Sequence, residues 1–361
     1  MVKNICILVD SLSSGGAEKV ASNLSISLSK KGYAITIVSM RKDIDYDYDG
    51  TLFNFGLIKG KYNRIKSLLI FKDFFRKSKF DIIIDHRVRS NFWKELLFSK
   101  YIFYKQNVIY CIHSYDLNYY FSFLNVPWIS VFPHVKRRKF VCVSKEIQKR
   151  LKQEINIKSK TIYNYINHSK LLFSVEEKKL KTIDKDYVIA IGRLYPVKQF
   201  DQLIDCYGHS KLPENNIDLI ILGSGPEKEK LELCVSRLNL KNNVKLIAYN
   251  KHPNKWIKEA EALILSSKNE GFPLVLLEAL HLNTPTIAYN CKTGPSEIIE
   301  HEVNGILVED QNQEQLTAAL NKLLLDTSFY NKIKENTNKG LEKFSETKII
   351  QKWVNLLESQ I

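Results

Sequence analysis

The feature that most constrains this chain is a repeated alternation of short, continuous apolar runs with amphipathic helical segments. In the first half the runs are residues 4–9, 34–39, 82–85, 108–113 and 140–143. In the second they are 188–191, 218–222, 244–246, 262–265, 286–288 and 305–308. They are too short for helices and bounded by turn residues, so they read as buried strands. Helical patterns such as 17–31 and 227–238 fill the gaps, which is the rhythm of βαβ units. The expected fold class is α/β, with two doubly wound Rossmann-like domains and a cleft between them at the carboxyl ends of the strands. The rhythm lapses over residues 167–186, which read as the linker. This gives an N-terminal domain at 1–168, a C-terminal domain at 169–344, and a terminal helix at 345–361. The last carries Ile349, Ile350, Trp353, Leu356 and Leu357 on one face and is expected to pack back toward the N-terminal domain.

Charge is distributed unevenly. Of the net +15, residues 1–168 carry +16 (29 Lys/Arg against 13 Asp/Glu) and residues 169–361 carry −1 (25 against 26). A basic first half calls for an anionic partner, either lipid or nucleic acid. Six cysteines stand singly without a C-x-x-C pair, as buried thiols of a reducing compartment do. The first apolar run is too short for a signal peptide, and no stretch approaches the ~20 apolar residues of a membrane span. The expected location is the cytoplasm, peripheral on the inner face of the cytoplasmic membrane.

Four strand exits carry residues suited to a nucleotide. The first strand leads into Gly15-Gly16-Ala17-Glu18 and a helix, where backbone N–H groups can approach a phosphate or simply form a tight turn. Gly192-Arg193-Leu194 with Lys198 puts a fork-shaped and a point cation at a strand tip, either toward a diphosphate or as solvated surface charges. Gly223-Ser224-Gly225-Pro226 makes a further sharp turn with free N–H groups, which reads more readily as purely structural than as a phosphate contact. The most informative segment is Glu270-Gly271-Phe272-Pro273-Leu274-Val275-Leu276-Leu277-Glu278. A helix starting near Pro273 offers free N–H groups to an anion, and the two carboxylates flank that turn. Glu278 sits in an almost wholly apolar helix, so its carboxylate needs a partner.

The E-x7-E spacing resembles that of retaining glycosyltransferase family 4, which has the GT-B fold. The order of Gly15-Gly16-Ala17-Glu18, Val143-Ser144-Lys145, Ile162-Tyr163-Asn164, Gly192-Arg193-Leu194, Gly223-Ser224-Gly225-Pro226, the E-x7-E segment and Asn304-Gly305-Ile306-Leu307-Val308 is similar to the family's over nearly the whole chain. The resemblance implies that Glu278 binds the ribose and Glu270 the donor sugar. The backbone from Gly271 and Phe272 through Pro273 and Leu274 to Val275 would contact sugar hydroxyls and diphosphate. It implies catalytic roles for Arg193 and Lys198 on the departing diphosphate and for His113 near the donor sugar and acceptor. Gly15, Gly16, Gly192, Gly223 and Gly225 would lie at the nucleotide-sugar. No metal and no cofactor beyond the UDP-sugar donor are expected.

The expected function is transfer of a hexose or N-acetylhexosamine from a UDP-sugar to a lipid-linked (polyprenyl-diphosphate) glycan in bacterial surface-polysaccharide assembly. The basic first domain, with Tyr115, Tyr119, Tyr120, Phe121, Phe123, Trp128 and Phe132 near Lys136-Arg137-Arg138-Lys139, suggests contact with an anionic membrane surface; core packing explains the same aromatics equally well. A soluble transferase acting on a small acceptor or glucan is one alternative. A basic nucleic-acid-binding protein is another, but no binding motif supports it and nucleic acid is not an expected partner.

Overall fold

Ile5, Cys6, Ile7, Leu8 and Val9 are all buried, so the first strand has no polar face, as a parallel sheet covered on both sides requires. The computed structural model describes residues 3–13, 15–103, 106–134, 136–167, 171, 185–250 and 253–359; most of the 167–186 linker lies outside them. The chain divides into two units, Met1–Tyr165 with Glu346–Ile361, and Ile166–Ser345.

The first unit is built on β1 (Asn4–Val9), β2 (Ala34–Ser39), β3 (Thr51–Asn54), β4 (Ile82–Asp85), β5 (Asn107–Ile112), β6 (Arg138–Cys142) and β7 (Lys160–Thr161). They form one parallel sheet in the order β3-β2-β1-β4-β5-β6-β7. The order reverses between β1 and β4, the switch point where ligands bind in such sheets. The edge strands β3 and β7 escape a reading of the sequence. Both are short and partly exposed because only one side of each has a partner.

The terminal helix Glu346–Glu358 belongs to this unit, with Ile349, Ile350, Trp353, Leu356 and Leu357 buried. Ser27 Oγ donates to Glu346 Oε1 at 2.6 Å, and Tyr165 Oη donates to Ser27 Oγ at 2.7 Å. Lys139 Nζ donates to the Ser359 carbonyl oxygen at 3.2 Å, where the last helical carbonyls gather partial negative charge.

Past β4 the chain buries four charges that balance. Arg87 donates to Asp85 through Nε at 2.9 Å and Nη2 at 2.7 Å, and to Glu95 through Nη2 at 3.0 Å. Arg89 donates to the carbonyls of Arg87 at 2.7 Å and Cys111 at 2.9 Å. Paired this way, the ions fix the β4 exit against the helix Phe92–Leu97.

The aromatic stretch from Tyr115 to Phe132 divides between the two readings. Tyr120 and Phe121 are core, the latter packed against His134 and Phe140. Tyr115 lies under the Arg150 guanidinium at 4.1 Å. Tyr119, Phe123, Trp128 and Phe132 are exposed.

In the second unit β8 (Tyr187–Ile191), β9 (Asp218–Leu222), β10 (Val244–Ile247), β11 (Ala262–Leu265), β12 (Thr286–Tyr289) and β13 (Ile306–Val308) are parallel in the order β10-β9-β8-β11-β12-β13. The switch point falls between β8 and β11. Among the described residues no helix is long and apolar enough to cross a membrane.

Candidate active site

Four consecutive strand exits of the second unit interlock. The β8 exit is pinned to the β9 exit by Leu194 N–H donating to Ser224 O at 2.9 Å and Glu227 N–H donating to Leu194 O at 3.1 Å. Contact there is so close that a Cβ on Gly223 would lie 1.8 Å from the Gly192 carbonyl oxygen. On its other side the β8 exit is held by β11: Ser266 Oγ donates to Lys198 O at 2.8 Å, and Lys268 N–H to Val197 O at 2.9 Å. The β12 exit buttresses the next turn. Thr293 Oγ1 donates to Gly271 O at 2.7 Å, and Gly294 adopts φ +99° with its missing Cβ facing Pro273 Cδ. Only glycine takes that backbone and that spacing together.

This scaffold brings Lys198 and Glu270 together. Lys198 Nζ donates to Glu270 Oε1 at 2.6 Å, with both side chains largely screened from solvent. Sequence spacing names both residues but not their pairing, because 72 positions separate them. Pro273 caps the helix Leu274–His281, whose first N–H groups have no intrahelical acceptor. Glu278 is buried in that helix among Leu274, Leu276, Leu277, Ala279 and Leu280. Gly271, Phe272 and Pro273 are buried in the turn, and Val275 is half-buried. Arg193 is exposed, with its guanidinium 5.5 Å from the Tyr195 ring centroid. Gly192 and Gly225 belong to the interlocked loops, and Gly192 faces the Lys198 side chain.

Gly15, Gly16 and His113 belong to the first unit and lie at its strand exits. Gly15 caps the helix Gly16–Ser29, and space around Gly16 is open. His113 follows β5 by one residue and its N–H donates to Tyr120 Oη at 2.9 Å. Its Nε2 lies 2.9 Å from Nδ1 of His86, a residue the sequence reading did not single out although it follows β4 in the same way. His86 Nε2 faces Cys111 Sγ at 3.9 Å. Among the described residues these three form the one His/Cys/carboxylate cluster compact enough to consider for a metal. One ligand atom from each of the three lies within 4.8 Å of the other two.

Burial pushes His86 down to about 4 and His134 to about 3, and it holds His113 well below the ordinary histidine value. The unfolded chain takes up these protons near pH 6.5 and the folded one does not, so stability falls as pH drops from 6.5 toward 4. Each histidine contributes up to about 1.4 kcal/mol per pH unit over that window. The urea midpoint should therefore fall between pH 7 and pH 5, and His134→Leu should shrink the fall. A midpoint flat with pH contradicts this.

Comparison with known proteins bears on family and fold. The sequence model described as Glycosyltransferase Family 4 matches residues 14–170, and that described as Glycosyl transferases group 1 matches residues 174–340. The chain is 26% identical to the amylovoran biosynthesis glycosyltransferase AmsD of Erwinia amylovora, over 98% of this chain and 99% of that one. It is 29% identical, over 53% of this chain and 51% of the relative, to the Campylobacter jejuni N-acetylgalactosamine-N,N'-diacetylbacillosaminyl-diphospho-undecaprenol 4-alpha-N-acetylgalactosaminyltransferase. Anabaena HepE in complex with UDP-glucose superimposes with a TM-score of 0.78 at 18% identity, covering 99% of each chain. Two Rossmann-like parallel sheets are the GT-B fold, and the two sequence models make the chain a glycosyltransferase. Within that class the chain belongs to the family 4 type, whose N-terminal and C-terminal regions the two sequence models cover in turn.

Proposed function

We propose that the protein transfers a hexose or N-acetylhexosamine from a UDP-sugar, with retention of anomeric configuration, to a hydroxyl of a polyprenyl-diphosphate-linked glycan in bacterial surface-polysaccharide assembly. The observation that carries the reading is the Lys198–Glu270 pair beside the free N-terminus of the helix Leu274–His281. The HepE complex with UDP-glucose and the undecaprenol-linked acceptor in the Campylobacter enzyme's name support donor and acceptor by likeness.

In this reading the bond from the sugar's anomeric carbon to the diphosphate breaks, and negative charge builds on the leaving oxygen. Lys198, Arg193 and the helix N–H groups stabilise that charge electrostatically. Glu270 holds the lysine in place and accepts from a sugar hydroxyl, while Glu278 accepts from the ribose. The acceptor oxygen attacks from the face the diphosphate is leaving, and its proton passes to a leaving-group oxygen. His113, kept neutral by burial, is a hydrogen-bonding group and carries no charge. No step needs a metal.

The test is incubation with a panel of UDP- and GDP-sugars in EDTA, followed by release of free nucleotide. One UDP-hexose or UDP-N-acetylhexosamine should be consumed, and faster with a polyprenyl-diphosphate glycan present. Consumption of GDP-sugars alone, or of none, overturns the donor assignment.

A further inference from the structure

The parallel pairing of β4 with β5 gathers three polar side chains at one strand exit of the first unit. Asp85 lies opposite Tyr110 in that register, so the next residues, His86 and Cys111, meet side by side. His113 stands two residues beyond Cys111, and residues two apart share a face of the sheet. The result is a short chain of contacts. Cys111 Sγ lies 3.9 Å from His86 Nε2, and His86 Nδ1 lies 2.9 Å from His113 Nε2. The two imidazoles stack with their centroids 5.0 Å apart. Cys111 and His86 are buried, whereas His113 is half-buried. Among the described residues no group pairs with its Nδ1.

Each contact takes one proton between two heavy atoms, so the direction of the whole chain is set at its closed end. Burial holds both imidazoles neutral at neutral pH, with one N–H each. It also pushes the Cys111 thiol well up, so the sulfur keeps its proton. A neutral sulfur is a weak acceptor, while a bare imidazole nitrogen is a good one. Cys111 S–H therefore donates to His86 Nε2. His86 then carries its proton on Nδ1 and donates to His113 Nε2. The proton of His113 is left on Nδ1, because the bond made by one ring nitrogen decides the state of the other. The reverse direction would make the thiol sulfur accept from His86 and would leave His113 Nδ1 as a bare lone pair.

We propose that His86, oriented by Cys111, is a positioning residue that locks His113 in the Nδ1–H tautomer, so that His113 offers the donor sugar a hydrogen-bond donor and never a base. The proposal rests on the reading of His113 as a group that meets the donor sugar, and it adds the direction of that bond. A sugar hydroxyl or ring oxygen that accepts from Nδ1–H is the matching chemistry. A histidine protonated at its one unpaired nitrogen cannot take the proton of the acceptor hydroxyl, which agrees with passage of that proton to a leaving-group oxygen.

The test is the imidazole nitrogen-15 spectrum of the ligand-free, histidine-labelled protein at neutral pH, with signals assigned by their loss in His86→Leu and His113→Gln. In wild type both rings should show a protonated Nδ1 and a bare Nε2. In His86→Leu, His113 should lose its single tautomer, and consumption of the UDP-sugar should fall at least ~10-fold, about the worth of one hydrogen bond. His86→Asn places an amide N–H where Nδ1–H stood and should keep turnover within ~3-fold of wild type. Affinity for UDP alone should be equal in all three proteins, because UDP lacks the sugar. A bare Nδ1 on His113 in wild type overturns the proposal whatever the kinetics. A stoichiometric zinc ion bound through these rings does so too, since it would claim the same lone pairs. Loss of UDP affinity along with turnover in His86→Leu would make His86 merely structural and also overturns it. The wild-type spectrum decides even where the leucine variant does not fold, with His86→Asn then supplying the assignment. The stated tautomer in a protein that consumes no sugar nucleotide would support the lock and sink the donor reading.

Discussion

Lys198→Met should lower turnover at least ~100-fold, about 2.7 kcal/mol of transition-state stabilisation. The lysine ammonium is fixed at 2.6 Å from Glu270 before any ligand arrives, and Ser266 clamps its backbone carbonyl while Lys268 clamps that of Val197. A cation that needs no reorganisation is worth most at the moment charge develops on a leaving diphosphate. Methionine keeps much of the stem's volume and removes the charge, leaving Glu270 without its counter-ion beside an anionic donor. The loss should appear in kcat for donor consumption. The melting temperature should move little, because the side chain is partly solvated and the loop is tied through main-chain atoms. Turnover within threefold of wild type would remove Lys198 from the chemistry. Arg193→Ala should cost a similar factor in turnover although the residue is exposed in the free protein. It leaves the same strand, β8, as Lys198, with its guanidinium 5.5 Å from the Tyr195 ring centroid.

Gly223→Ala should destabilise the second unit by about 3 kcal/mol, the upper range for forced overpacking. The new methyl would sit 1.8 Å from the Gly192 carbonyl oxygen, and the obstacle is backbone, not a side chain that could turn aside. Relief requires the β8 and β9 exits to part, which breaks the bonds from Leu194 to Ser224 and from Glu227 to Leu194. Since Lys198 rides on the first of those loops, activity should fall with stability. Urea unfolding followed alongside nucleotide release checks both. Gly60→Ala is the matched control: nothing lies within 4 Å of its missing Cβ and it sits inside a helix, where alanine is the better residue. A Gly223→Ala protein as stable as that control would show that the loops are not in firm contact.

The central strands were legible because a strand covered on both faces leaves an unbroken apolar run. Ile82–Asp85, Asp218–Leu222 and Ala262–Leu265 carry that mark plainly. Thr51–Asn54 does not, since an edge strand has one partner and mixes Thr and Asn with Leu and Phe. The burial of Glu278 could be read from the apolar helix around it, whereas the Lys198–Glu270 contact depends on which strand exits become neighbours. Tyr119, Tyr120 and Phe121 show the limit of composition: consecutive aromatics go to the surface, the core and the core, and no periodicity over so short an irregular segment separates them. Ile65 and Leu69 were overlooked for a related reason. On a helix with Phe71 and Phe75 buried, the sequence does not show that a second apolar pair faces outward. His86 needed its neighbour in space, His113, to be noticed at all.

The return of Glu346–Glu358 to the first unit has a consequence for how the chain is made. The stretch Ile166–Ser345 is continuous, so it can collapse on itself as soon as it clears the ribosome. The unit begun first cannot be finished then, because Trp353, Leu356 and Leu357 come after the whole second unit in the chain, and their places in its core stay unfilled until they have been made. Synthesis order and completion order are thus reversed. During that interval the first sheet waits with an open flank beside Ser27, which makes this flank, and not the second unit, the place where a chaperone would be needed.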